Sequence, residues 1–168
     1  MANPKITFEI EGYGTVNAEL YPDKAPKTVE NFLSLLRRNF FDGLIFHRVI
    51  EGFMIQGGGY TPDMSDRDAD TIKGEFAANG FPQNDLKHTR GTLSMARTNM
   101  PNSASSQFFI MHKDAPHLDG AYAAFGRVTD DDSLTVVDKI ASVPTGRYAY
   151  FSDVPREPVV ITRAYVVE

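Results

Sequence analysis

Short apolar alternations separated by turn residues recur along this chain, and they point to antiparallel β-structure. The first is a hairpin: Ile6, Phe8 and Ile10 alternate with polar residues, GYG at 12–14 supplies a turn, and Val16, Ala18 and Leu20 alternate again. Further strand patterns fall at 44–50 (LIFHRVI), 53–57 (FMIQG), 91–96 (GTLSMA), 106–112 (SQFFIMH), 122–128 (YAAFGRV) and 159–167 (VVITRAYVV), which makes eight strands. Two helices are expected. Pro26 suits the first turn of one, whose Val29, Phe32, Leu33 and Leu36 follow helical spacing and whose Arg37 and Arg38 suit its negative end. The other covers 131–141 (DDSLTVVDKIA), with Asp131 or Asp132 as its cap and Leu134, Val137 and Ile140 on one face. Strands and helices that never alternate regularly predict an antiparallel barrel or sandwich, not a doubly wound sheet.

The 168 residues fit one domain, 1–168, large enough to bury about two thirds of its unfolded surface. A net charge of −5 argues against a nucleic-acid or anionic-membrane binder, which would concentrate basic residues. With no cysteine there are no disulfides, thiolate chemistry or cysteine zinc sites. No leader pattern stands at the start and no apolar run approaches the roughly 18 residues of a membrane span, so the expectation is a soluble, cytoplasmic protein.

Familiar catalytic and metal motifs fail one after another. Asp66, Asp68 and Asp70 have the opening spacing of an EF-hand loop, but Thr71 stands where glycine is needed and Ala77 where the bidentate glutamate belongs. The glycines at 57–59 lack the lysine of a phosphate loop. His112 and His117 flank Pro116, which spoils helical ligand spacing, and no HExxH occurs. Ser103, Ser105 and Ser106 have no GxSxG elbow and no identifiable Asp-His pair.

What survives is a set of unusual placements on strands. Phe108 and Ile110 point one way and Gln107 and Phe109 the other, so one face is expected to be core and the other a pocket floor. Phe46 and Arg48 are read as sharing a face, and the Gly52 break is read as re-aiming Phe53, Met54 and Gln56 as a bulge would. Singly, each residue has an ordinary structural explanation: a paired arginine, a core aromatic, a surface amide. Together they describe apolar walls, one fixed cation, two amides and no nucleophile.

The segments FHRVIEGFMIQGG (46–58), SMARTNMPNSASSQFFI (94–110) and HLDGAYAAFGRV (117–128), with TVENFLSLL (28–36) as a first helix, closely resemble the cyclophilin family of peptidyl-prolyl cis/trans isomerases, in its short bacterial form. The resemblance implies a closed eight-stranded antiparallel barrel capped by two helices, with substrate bound outside the barrel. It assigns catalysis to Arg48, Gln56 and Phe109, and peptide contacts to Phe53, Met54, Ala96, Arg97, Thr98, Gln107, His117, Leu118 and Tyr122. It implies no metal or cofactor, and partners that are proline-containing peptides and unfolded or folding proteins, met by a monomer. The family often has asparagine where Arg97 stands. Eukaryotic members have tryptophan in place of His117 and histidine in place of Tyr122, so cyclosporin is predicted to bind weakly. The alternative is a related chaperone module that holds proline segments without catalysis; Arg48 favours the enzyme, since a binder needs no donor for a transition state.

Overall fold

The computed structural model describes residues 3–149 and 151–167. Its strands are β1 (Lys5–Ile10), β2 (Gly14–Leu20), β3 (Arg48–Ile50), β4 (Met54–Gly57), β5 (Thr92–Met95), β6 (Phe108–Met111), β7 (Ala124–Val128), β8 (Thr145–Tyr148), β9 (Phe151–Pro155) and β10 (Ile161–Val167); its helices are α1 (Pro26–Arg37) and α2 (Asp131–Ala141). Eight strands form one curled sheet in the order β10-β1-β2-β7-β5-β6-β4-β3, a half-barrel in which every pairing is antiparallel. β10 and β3 are the ends of the ladder, and the segments leading into them meet through an isolated bridge between Ile45 and Val160.

The alternation in β1 and β2 does what period two requires. Phe8 faces Val16 across the hairpin and Ile6 faces Ala18, all buried. Their side chains meet α1 in a core of phenylalanines: Phe108 stands 5.2 Å from Phe8, 5.3 Å from Phe32 and 5.6 Å from Phe41. α1 buries Val29, Phe32, Leu35 and Leu36, while Leu33, expected inside, is only half-buried.

α1 lacks a cap of its own, because Ala25 precedes it and offers no side-chain acceptor. The buried Glu75 supplies one from far along the chain, accepting from Lys27 N (3.2 Å), Thr28 N (2.7 Å) and Thr28 Oγ1 (2.7 Å). The loop after β4 is therefore tied down at two points, since Arg67 also donates to Phe40 O and Asp42 O. Glu75→Ala, which strands these donors, should cost about 1–3 kcal/mol in urea denaturation, with Glu75→Gln recovering part of it. An unchanged midpoint would show the cap to be dispensable. α2 is capped one residue earlier than expected: Asp130, not Asp131 or Asp132, accepts from Ser133 N at 2.7 Å, and that bond holds its carboxyl below the usual range.

Three other expectations need correction. Phe46 and Arg48 do not share a face: regular pairing begins only at Arg48, and Phe46 lies in the main core 6.0 Å from Phe108 while Arg48 is exposed. Gly52 forms no bulge. It takes φ +80° in a tight turn closed by Phe53 N donating to Ile50 O, and the β3–β4 register runs unbroken from Arg48↔Gln56 to Ile50↔Met54. The β8–β9 hairpin was not anticipated, because its residues are mostly half-exposed and show no clean alternation.

Candidate active site

Four neighbouring strands set one row. Arg48 of β3 pairs across with Gln56 of β4, Gln56 with Phe109 of β6, and Phe109 with Ser94 of β5. A guanidinium can only donate, so the hydrogen bonds along this row have a fixed direction. Arg48 donates to Gln56 Oε1 at 3.3 Å, and Gln56 Nε2 donates in turn to Gln107 Oε1 at 3.1 Å. Gln107 can lie there only because residue 59 is glycine, where a Cβ would fall 2.6 Å from the Gln107 side chain. The glycine run tested as a phosphate loop thus serves close packing.

Beside this row, Met54, Phe109, Met111, Ala115 and Leu118 form a second apolar cluster, separate from the main core, with Phe53 and Tyr122 packed against it. Phe108 and Phe109 therefore face opposite sides of β6, as their adjacency on a strand requires. The polar row and the second cluster meet at a pocket of about 110 Å³ lined by Arg48, Phe53, Met54, Gln56, Ala96, Arg97, Phe109, Leu118 and Tyr122. It is small beside the roughly 300–1,000 Å³ of drug-sized sites and suits one compact ring. A second hollow of about 150 Å³ adjoins it through Gln56, Ala96 and Arg97, and holds Thr98, Ser103 and Gln107. A larger hollow between Lys24 and Arg127 is lined by mixed polar groups and lacks the convergence of one cation and two amides on apolar walls.

Of the twelve residues singled out from sequence, nine line the first pocket and Thr98 and Gln107 line the second. His117 lines neither. It belongs to a 3-10 turn, Pro116–Leu118, that sends Leu118 inward and leaves the imidazole stacked on Phe53 at 5.9 Å. Arg97 does more than carry backbone. Its guanidinium lies between the rings of Phe76 (4.7 Å) and Tyr122 (4.6 Å) and donates to Ala121 O (2.6 Å) and Thr98 O (2.9 Å).

Sequence reasoning missed the groups behind the walls. His88 is buried and stacks on Phe109 at 6.0 Å; its Nδ1 meets Asp119 Oδ1 at 3.1 Å and its Nε2 meets Ser94 Oγ at 2.9 Å. Because the carboxylate accepts, Nδ1 carries the proton and Nε2 accepts from the serine. Burial lowers the His88 pKa, against the raising effect of Asp119. The trio has the composition of a hydrolytic triad, yet Ser94 is fully buried and can meet no peptide carbonyl. It braces Phe109. His112 secures the other wall: its backbone N–H donates to Phe53 O (2.9 Å), Gly52 N donates to its Nδ1 (2.8 Å), and its Nε2 meets Asp138 of α2 at 3.1 Å. His47, next to Arg48, is pushed down to about 4 by burial and by the guanidinium, so it adds no charge near neutrality.

Fold and site together define a half-barrel carrying a small apolar pocket beside a fixed cation, equipped to bind and polarise and not to form covalent bonds. A family model described as cyclophilin type peptidyl-prolyl cis-trans isomerase/CLD matches residues 5–166. A peptidyl-prolyl cis-trans isomerase of Acinetobacter baylyi is 49% identical over 167 residues, covering 96% of this chain and 84% of the relative. Peptidyl-prolyl cis-trans isomerase B of Escherichia coli is 45% identical over 172 residues, covering 97% and 99%. A crystal structure of a cyclophilin-type isomerase from Cryptosporidium parvum superposes with a TM-score of 0.83 at 28% identity, over 99% of this chain and 98% of that one. The chain belongs to the cyclophilin-type peptidyl-prolyl cis-trans isomerases, which accelerate rotation about the bond preceding proline.

Proposed function

We propose that the first pocket seats the substrate proline and that Arg48 stabilises the twisted imide. Amide resonance sets a rotation barrier of about 18–20 kcal/mol, and unaided X-Pro bonds take roughly 10–100 s to isomerise. In the twisted state the prolyl nitrogen leaves conjugation and regains a lone pair. A hydrogen bond donated to that nitrogen is therefore stronger in the transition state than in the planar substrate. The observation that carries this reading is Arg48 at the rim of the Phe109 and Met54 pocket, held by the amide of Gln56. Gln56 positions the donor, Gln107 holds Gln56, and Phe53, Met54, Phe109 and Leu118 grip the ring while the preceding carbonyl turns.

A related structure from Cryptosporidium parvum, with a TM-score of 0.81 and 29% identity, was determined in the presence of the dipeptide Ala-Pro. By that likeness we take proline-containing peptides and folding proteins as the partners of this chain. The strip Ala96, Arg97 and Thr98, which borders both hollows, suits the peptide backbone. We take the chain to act as a monomer and as one domain, the latter because the main core draws on residues from Ile6 to Ala164. Among the described residues no helix is long and apolar enough to cross a membrane. We assign the activity to the cytoplasm, a reducing compartment that suits a cysteine-free chain. A protease-coupled assay of cis-proline conversion tests the whole: binding of proline peptides without acceleration would favour the chaperone module.

His117 carries a separate expectation. Stacked outside Phe53 in place of an indole, it gives cyclosporin a smaller apolar face, and the drug should bind weakly. His117→Trp should tighten binding on the order of tenfold, at about 25 cal/mol per Å² of apolar surface regained. Calorimetric titration of both proteins decides it: equal affinities would place the limit elsewhere, for instance at Tyr122.

A further inference from the structure

We infer that this isomerase prefers peptides carrying a carboxylate side chain one or two positions before the proline. The inference rests on the proposed seating of proline in the first pocket and concerns what flanks it. The chain carries a net charge of −5, yet the two adjoining hollows present two cations, Arg48 and Arg97, and no carboxylate. Cations in folded proteins are usually neutralised by acidic neighbours. Here the ion pairs among the described residues use Lys24, His88, Arg90 and His112, and neither arginine of the site takes part. Glu51, on the exposed β3–β4 turn, lines neither hollow, and Asp119 is engaged with His88 behind the Phe109 wall.

Arg97 is the more telling of the two. Its guanidinium is fixed between two rings and two backbone carbonyls, all neutral groups, so its position is set but its charge is not cancelled. Its Nε is buried without a hydrogen-bond partner. A cation held in place by uncharged contacts keeps a field directed at whatever enters the shared wall of the hollows, and costs no side-chain ordering when the ligand arrives. Adjacent Cα atoms lie about 3.8 Å apart, so with proline in the first pocket a neighbouring residue reaches the wall formed by Gln56, Ala96 and Arg97. An aspartate or glutamate there lies beside Arg97, with Arg48 lining the adjoining first pocket. A lysine there meets like charge.

The test uses NMR exchange spectroscopy, which needs no coupling protease and so leaves the peptide sequence free. Peptides identical except for Ala, Glu, Gln or Lys at one or two positions before proline are compared on the wild-type protein. At partly exposed distances Coulomb attraction predicts about a fivefold higher kcat/KM for Glu than for Gln at the better position, with Lys lower still. Raising the salt towards 1 M should shrink the difference as the Debye length falls to about 3 Å. In Arg97→Gln the Glu-to-Gln ratio should fall towards one, and in Arg97→Lys, which keeps the charge and loses the fork, most of it should survive. Equal kcat/KM for Glu, Gln and Lys peptides, with normal turnover of the Ala peptide, would overturn the inference and leave the isomerase reading intact. No acceleration of any peptide, the Ala peptide included, would overturn both.

Discussion

Phe108→Ala should lose roughly 3–5 kcal/mol of folding stability, whereas Phe109→Ala should fold with a smaller loss and show at least a tenfold lower kcat/KM. The two residues are neighbours of the same chemical type on one strand, so their different fates come entirely from which side of β6 each faces. Phe108 is fully buried and its ring packs against Phe8, Phe32, Phe41 and Phe46, drawn from β1, α1 and the segments between α1 and β3. A cavity there opens where helix and sheet meet, and the surrounding rings cannot all close on it. Phe109 belongs to the smaller cluster with Met54 and Leu118, at the pocket that the proline is proposed to enter. Its truncation removes a wall that the proline would press on and leaves the main core untouched. Denaturation and kinetics on both variants check the pair together, and the reverse pattern would mean that the roles of the two faces are exchanged.

The same contrast shows what the sequence could reveal. The β1–β2 hairpin and α1 were legible because alternating or helical periodicity is local and most of their apolar residues, Leu33 excepted, found the core that their spacing implied. Arg48, Gln56 and Phe109 were legible because a cation, an amide and an extra aromatic on strands otherwise made for burial need a reason. His88, Asp119 and Ser94 were not: they lie up to 31 residues apart, and only the curl of the sheet joins them behind Phe109. Glu75 caps α1 across 47 residues and leaves no local trace. His117 stands outside both hollows, stacked on Phe53, because a 3-10 turn separates its direction from that of Leu118. Phe46 misled because strand alternation was extended two residues beyond the point where β3 begins to pair. How closely the end strands of the sheet approach depends on accumulated twist, which no single segment encodes.

Arg48→Ala should lower kcat/KM by at least tenfold, and its folding midpoint should barely move. The stability half follows from exposure. Arg48 is the exposed member of β3, its hydrogen bond to Gln56 is on the surface, and its neighbour Val49 carries the burial. An exposed side chain of this kind is worth little to the fold. The activity half follows from the chemistry. Raising an unaided rate of roughly 0.01–0.1 s⁻¹ to about 10³ s⁻¹ means lowering the barrier by about 6–7 kcal/mol, at about 1.4 kcal/mol per tenfold. One charge-assisted hydrogen bond contributes about 1.5–3 kcal/mol of that, a tenfold to hundredfold loss on removal, and the grip of the pocket must supply the rest. Because the bond forms only as the imide twists, the loss should appear in kcat with KM little changed. Arg48→Lys, which keeps the charge but not the planar fork held by Gln56, should fall between wild type and alanine. Gln56→Ala should reproduce part of the defect by freeing the guanidinium while leaving it in place. A folded Arg48→Ala protein with near-normal turnover would remove Arg48 from the reaction and leave the apolar pocket as the sole source of acceleration.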